Sequence, residues 1–184
     1  MLSFQLDPCP GLRTARLLLR RITPDDAPAL LRMRSDPEVL RYIGREPART
    51  LEEVQALCAR IEETRQKNAG LMLGLALHAE PQALIGTCGL WRLDAENHRA
   101  ELGYMLAPAH QGRGLISEAI SAVCRHGFES LQLHSIEAHV DPANAASVRV
   151  LERAGFVREG LFRECVYFHG RFSDNAVYSL LAPS

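Results

Sequence analysis

Lysine is almost absent from this chain. Of its 21 basic residues only Lys67 is a lysine, and the formal net charge is −1. The arginines are scattered along the sequence and are not grouped in runs. Proteins that bind nucleic acid usually carry a clustered excess of positive charge. The sequence therefore predicts no nucleic-acid partner.

Long apolar runs are also missing. No stretch approaches the roughly 20 apolar residues needed to span a bilayer. The amino-terminal MLSFQLDPCPG has neither the basic start nor the apolar centre of a secretion signal. We therefore expect no membrane partner and a cytoplasmic location, while the sequence leaves open whether the chain is a monomer or a homodimer.

The cysteines are few and far apart. There are five of them, an odd number, and no two form a C-x-x-C pair. This spacing argues against a disulfide framework and against a zinc site, so we expect no metal cofactor. Four of the five lie in apolar or periodic segments, where a cysteine usually acts as a small buried hydrophobe. The five are Cys9, Cys58, Cys88, Cys124 and Cys165, and we assign no chemistry to any of them.

The residues that are present indicate one α+β domain over residues 1–184. A strand is predicted from 15 to 22, followed by a helix to about residue 34 that begins at Thr23-Pro24. A capping box of Thr50 and Glu53 begins a second helix, which ends before Gly70. Three apolar runs, 71–79, 83–93 and 100–106, then predict an antiparallel meander.

The second half of the chain reads as a crossover unit followed by a hairpin. A helix is predicted from 115, a strand over 135–140, and a short helix that ends at Gly155. Two final strands are expected to turn at His169-Gly170. The predicted fold class is therefore α+β, with a mixed, mostly antiparallel central sheet flanked by helices.

The stretch HQGRGLISEA, residues 110–119, places two glycines around Arg113 directly before a helix. Glycines allow close backbone approach, and a helix start offers free N–H donors to an anion. A P-loop would need Lys and Ser or Thr where Leu115 and Ile116 stand. A dinucleotide fingerprint would need Gly or Ala at Ser117. Neither alternative fits well, so the loop belongs to another kind of anion site.

Three segments carry a resemblance to a known family. QGRGLI, residues 111–116, resembles the acyl-CoA pyrophosphate loop of the GNAT N-acetyltransferase superfamily, with isoleucine in place of its last Gly or Ala. NAAS (144–147) and LERAGF (151–156) are similar to its second motif, and AELGY (100–104) to its central strand. The opening and closing stretches, within a motif-bearing core of about 12–182, look most like the RimJ/RimL-type branch of ribosomal-protein N-terminal acetyltransferases.

The resemblance implies the acyl-CoA N-acyltransferase fold and acetyl-CoA as co-substrate. In the family, backbone N–H groups of the glycine loop hold the pyrophosphate, and the central strand splays so that its backbone pairs with the pantetheine. Asn144 would bind the pantetheine arm, although Asn is also a common helix N-cap, a task that Asp141 could take over. The implied cofactor-binding residues are Met105, Leu106, Gln111, Gly112, Arg113, Gly114, Leu115, Ile116, Asn144 and Arg153.

The same resemblance implies direct attack of an amine on the thioester within a ternary complex. Ser147 would lie near the CoA sulfur and protonate the departing thiolate. Two carboxylates, Glu101 and Glu164, are candidate bases for the amine proton.

The acceptor predicted from the sequence is a peptide or protein amino terminus. It would approach between an early segment, expected to be helical around Arg41 to Thr50, and the final hairpin. These segments contain aromatics and arginines but no dense acidic cluster, which a polycation would require. Three alternatives stay open: a small-molecule amine such as a polyamine, amino acid or aminoglycoside, a non-catalytic acyl-CoA sensor, and a nucleotide-binding module.

Overall fold

A computed structural model describes residues 2–183 and contains one eight-stranded sheet. The strand order is β1-β2-β3-β4-β5-β6-β8-β7, and only the β5–β6 pair is parallel. The mixed, mostly antiparallel sheet predicted from the sequence is thus confirmed. The strands are β1 (Leu12–Arg13), β2 (Leu17–Arg21), β3 (Gly70–Leu77), β4 (Gly86–Asp94), β5 (Arg99–Leu106), β6 (Ser135–Val140), β7 (Val157–Phe168) and β8 (Arg171–Leu181).

Five α-helices flank the sheet: α1 (Ala27–Ser35), α2 (Pro37–Leu40), α3 (Leu51–Gln66), α4 (Leu115–Glu129) and α5 (Ala145–Arg153). Four of them follow the predicted caps and periodicities, whereas the single-turn α2 and the short β1 were not predicted. The helical expectation for 41–50 is wrong, because this segment is irregular between α2 and α3. Pro47 explains part of this, since it lacks an N–H donor and keeps its predecessor out of the helical region.

The sheet has a different helix layer on each face. The face covered by α4 buries a large cluster that includes Leu73, Leu90, Ile120 and Ile136. The other face packs against α1 and α3 through a smaller cluster that includes Met33, Val54, Cys58, Leu84 and Met105. None of the helices in residues 2–183 is long and apolar enough to cross a membrane.

The parallel strands β5 and β6 separate partway along their length. They pair only at Arg99–Ser135, Ala100–Ile136 and Glu101–Glu137. Beyond this point β5 stays paired with β4 as far as Leu106, while β6 stays paired with β8 as far as Val140. The β6-facing backbone groups of residues 102–106 are therefore outside the ladder and line an opening in the sheet.

Candidate active site

A cleft of about 720 Å³ passes through this opening. One end lies among α1, α3 and the segment between α2 and α3, and the other lies at the start of α4 and α5. Side chains from both faces of β5 line it, because alternate residues of a strand point to opposite faces. Glu101, Gly103 and Met105 belong to the α1–α3 face, and Tyr104 belongs to the α4–α5 face.

The glycine loop at the α4 end has the geometry of an anion cradle. Gly112 and Gly114 have φ of 73° and 74°, a left-handed conformation that favours glycine. Gly114 is the N-cap of α4, and no side chain caps this helix. The first N–H groups of α4 therefore point to the cleft without a capping partner. The side chain of Gln111 does not extend into this cradle, because its Nε2 donates to Leu106 O at 3.0 Å.

Arg16, which lies between β1 and β2, holds the loop against this edge of the sheet. Its Nη1 donates to Arg113 O at 2.8 Å, and its Nε forms an ion pair with Glu118 at 2.7 Å. Glu118 also accepts a hydrogen bond from Thr14 Oγ1. Burial favours the neutral form of Glu118, but these hydrogen bonds outweigh it and lower its pKa. No local pattern in the sequence predicts this contact, because 97 positions separate Arg16 from Arg113.

The second functional pair joins β5 to α5. Tyr104 Oη lies 2.5 Å from Ser147 Oγ, and the pair lines the cleft. Ser147 N donates to Asn144 Oδ1 at 3.1 Å, so Asn144 is the N-cap of α5 and Asp141 is not. The cap occupies Oδ1 and leaves the Nδ2 donor for other contacts. Burial raises the pKa of Tyr104 to about 12, which keeps the phenol protonated near neutral pH.

Glu101 lies on the opposite face of β5 from this pair. It is paired across the sheet with Trp91, and its carboxylate forms an ion pair with Arg92 at 2.9 Å. The guanidinium carbon of Arg92 lies 4.9 Å from the centroid of the Trp91 ring. The carboxylate side chain is only 12% exposed, yet the residue lines the cleft.

Most of the site residues predicted from the sequence are brought together by the fold. The cleft is lined by Glu101, Met105, Leu106, Gln111, Gly112, Gly114, Leu115, Ile116, Asn144 and Ser147. Arg113, Arg153 and Glu164 are not among the lining residues. Glu164 lies in an irregular part of the β7–β8 pair, where its N–H donates to Asp174 Oδ1 at 2.8 Å and its side chain is exposed.

The predicted acceptor segments are only partly at the cleft. Tyr42, Arg45 and Trp91 line it. Tyr167 instead packs against Phe172 on the exposed hairpin, with the two ring centroids 4.8 Å apart. The segment 41–50 does contact this hairpin, since Glu46 lies 3.4 Å from His169 Nε2. Within residues 2–183, no three His, Cys, Asp or Glu side chains are grouped so as to hold a metal ion.

The fold and cleft agree with the relatives of this chain. The profile of the acetyltransferase (GNAT) domain matches residues 16–157. The uncharacterized N-acetyltransferase YoaA of Bacillus subtilis (strain 168) is 38% identical over 174 residues, which cover 95% of this chain and 98% of YoaA. A ribosomal-protein-serine acetyltransferase of Escherichia coli (strain K12) is 34% identical over 103 residues, 55% of this chain and 56% of that protein.

A solved structure shows the same architecture with ligands bound. The spermidine N-acetyltransferase from Vibrio cholerae, in complex with CoA and spermine, matches with a TM-score of 0.80 at 27% identity, covering 90% of this chain and 95% of that one. The domain match and the full-length similarity to YoaA together identify the family. This chain belongs to the GNAT acetyltransferase family and is an acetyl-CoA-dependent N-acetyltransferase.

Proposed function

We propose that this enzyme acetylates the amino terminus of a peptide or protein by direct attack within a ternary complex. The observation that carries the proposal is the charge of the cleft at its α1–α3 end. Arg34, Arg45 and Arg60 line this end, and the carboxylates beside them are Glu38 and the ion-paired Glu101. This surface suits a singly charged amine better than a polycation.

The α4 end of the cleft suits the other substrate. Backbone N–H groups over 111–116 would hold a pyrophosphate, because the glycines permit close approach and the helix start supplies uncapped donors. The free edge of β5 and the Asn144 Nδ2 donor would bind the pantetheine amides. Acetyl-CoA supplies the activated acetyl group when bound there.

The two faces of β5 separate the two proton transfers. Ser147, hydrogen-bonded to Tyr104, would donate a proton to the departing thiolate on the α5 face. Glu101 would accept the amine proton on the α1–α3 face, directly or through a water molecule. Of the two carboxylates predicted from the sequence, Glu101 is preferred because Glu164 does not line the cleft.

The relatives do not choose between acceptors, since one is named for a ribosomal protein and another for spermidine. Electrostatics favours the peptide. A polyamine has several ammonium groups, each of which needs a carboxylate or carbonyl partner and is repelled by a nearby arginine. An amino terminus brings one amine, which is neutral when it attacks, and backbone groups that hydrogen-bond readily.

Steady-state kinetics tests this proposal. CoA release would be measured with short peptides beginning in alanine or serine, with spermidine and with kanamycin, using the same peptides blocked at their amino termini as the matched control. We expect kcat/KM for the free peptides to exceed that for either polycation at least tenfold, and the blocked peptides to be inert. A polycation preferred tenfold over every peptide would refute the proposed acceptor.

A further inference from the structure

Three arginines line the α1–α3 end of the cleft, and none of them has an acidic partner in the part of the chain that the structure describes. Arg34 comes from the last turn of α1, Arg60 from α3 and Arg45 from the segment that joins α2 to α3. Among residues 2–183, none of the three forms an ion pair. Elsewhere in the molecule arginines find carboxylates readily, as Arg20 does with Asp26 at 2.7 Å.

The carboxylates near these arginines either contact other residues or form no ion pair with the arginines. Arg34 and Arg60 also line an adjoining depression of about 500 Å³, which contains Glu46 and Glu53. Glu46 lies 3.4 Å from His169, and Glu53 Oε2 accepts a hydrogen bond from Arg49 N at 2.9 Å. Within the cleft itself, Glu38 and the Arg92-paired Glu101 are the acidic side chains at this end.

Arg34 carries its charge at a cost in the free protein, whereas Arg45 and Arg60 beside it are exposed. Arg34 is half-buried, and its burial together with the charges of Arg45 and Arg60 lowers its pKa. A guanidinium that loses hydration regains free energy when it forms a bidentate contact with a carboxylate or a phosphate. Such a cluster is thus arranged to receive an anion.

We infer that Arg34, Arg45 and Arg60 form an anion subsite that selects acceptors with an acidic group near their reacting amine. This inference rests on the proposed peptide acceptor and deepens it. The cluster lies on the α1–α3 face of the sheet, together with Glu101, whereas the glycine loop for acetyl-CoA lies at the α4 end. The preferred acceptor is a peptide with Asp, Glu or a phosphorylated residue within the first positions after its free amino terminus.

Peptide pairs that differ only in charge test the subsite. We would compare kcat/KM for peptides that begin Ala-Glu-Glu and Ala-Gln-Gln, and for the single-residue amines glutamate α-amide and glutamine α-amide. The wild type should prefer the acidic member of each pair about tenfold. Added salt should reduce this preference, because it screens charge.

Single arginine variants connect the preference to the cluster. Arg34→Gln, Arg60→Gln and Arg45→Gln should each reduce the acidic preference to threefold or less, with an unchanged dissociation constant for CoA. Arg45 lies exposed outside the helices, so its variant tests the subsite even where a helix variant is poorly folded. The matched control is Arg32→Gln, also on α1 but exposed and outside the cleft, which should keep the full preference.

The outcomes separate this inference from the proposed acceptor. Equal rates for the acidic and neutral peptides, unchanged in the arginine variants, would overturn the subsite and leave peptide acetylation standing. Discrimination within the single-residue pair, with no turnover of any peptide, would support the subsite and refute the peptide acceptor. Weaker CoA binding in the arginine variants, with no change in acceptor preference, would assign the anion to acetyl-CoA and overturn the inference.

Discussion

At the scale of single residues, the site depends on pairs that only the folded chain creates. The resemblance predicts Ser147 as the proton donor, and the structure adds its hydrogen bond to Tyr104, which is 43 positions away. A buried phenol with a pKa of about 12 stays protonated, so it would pass its proton to Ser147 as the serine protonates sulfur, and it would then regain a proton from solvent in the cleft. The Tyr104–Ser147 dyad would thus form a short path for protons to the sulfur on the α5 face of β5.

Substitutions in the dyad test this path. Ser147→Ala and Tyr104→Phe should each lower kcat by roughly tenfold to a hundredfold with little change in KM for acetyl-CoA. The effect is modest because a thiol has a pKa of about 8.5, so the thiolate is a good leaving group and needs little help from an acid. The double variant should lose no more than the worse single variant, since the residues act in series. A lower melting temperature with wild-type kcat would indicate a purely structural pair.

The pH dependence adds a check on the same residues. Because the pKa of Tyr104 is raised to about 12, its ionisation lies above the range in which the enzyme is assayed. The kcat profile of the wild type should therefore show no loss of activity from phenol ionisation between pH 6 and 10. An activity decrease in this range that disappears in Tyr104→Phe would contradict the raised pKa of the phenol, because it would show that Tyr104 ionises between pH 6 and 10.

At the scale of elements, the glycine loop and the start of α4 act as a unit. Gly114 has room for a Cβ, since the only atom within 4 Å of that position is Arg16 Nη2 at 3.6 Å. Its positive φ is nevertheless unfavourable for any branched side chain. A substitution there combines backbone strain with a new side chain in the loop beside Arg16, and these two effects need to be separated.

A comparison with Gly170, another glycine with positive φ, separates the backbone strain from the effect on CoA binding. Gly170 has φ of 76° in the remote β7–β8 turn, and no atom lies within 4 Å of its Cβ position. Gly114→Val should raise the dissociation constant for CoA at least tenfold, about 1.4 kcal/mol. Gly170→Val should have a similar backbone cost, about 1–2 kcal/mol of stability, with unchanged CoA affinity. Equal CoA affinity in Gly114→Val and the wild type would remove the loop from the binding site.

At the scale of the whole molecule, a buried ion pair connects the sheet to the α1–α3 layer. Asp26 is 4% exposed and accepts two hydrogen bonds from Arg20 of β2, at 2.7 and 2.8 Å. Burial favours the neutral carboxyl, but hydrogen bonds from Arg20 and Thr23 outweigh it, so the pKa of Asp26 is lowered. A lowered pKa means that the pair stabilises the fold above the ordinary pKa of Asp, and that this stabilisation is lost in acid.

Acid unfolding of a variant measures this contribution. Asp26→Asn should lower the free energy of unfolding at pH 7 by about 3 kcal/mol, because it leaves the Arg20 charge without its partner. The difference from the wild type should shrink as the pH falls below about 4, because the carboxyl is protonated first in the unfolded chain and only at lower pH in the folded one, where its pKa is lowered. The exposed neighbour variant Asp25→Asn is the control and should change stability little. A constant difference down to pH 2 would show that the ion pair is not its cause.

The sequence by itself determined most of the elements and the geometry of the loop over 111–116, which is predicted to hold the cofactor. Local patterns suffice for these: caps at Thr23 and Thr50, alternation in the strands, and glycines whose positive φ is a local property of the backbone. The cradle at 111–116 could be predicted because its donors are backbone groups of consecutive residues. The irregular path of 41–50 was predicted wrongly, although Pro47 signals part of it, and the contact of Glu46 with His169 of the final hairpin has no signal in the sequence.

Only the tertiary structure decided which side chains meet across the sheet. The choice of Glu101 over Glu164 depends on which of them reaches the cleft, and a β-bulge in β7 shifts the register around Glu164. The Tyr104–Ser147 dyad, the Arg16–Arg113 contact and the three-arginine cluster each join elements that are distant in sequence. Hydrogen bonds and charge–charge interactions depend on distances in space, and residue spacing along the chain does not contain those distances.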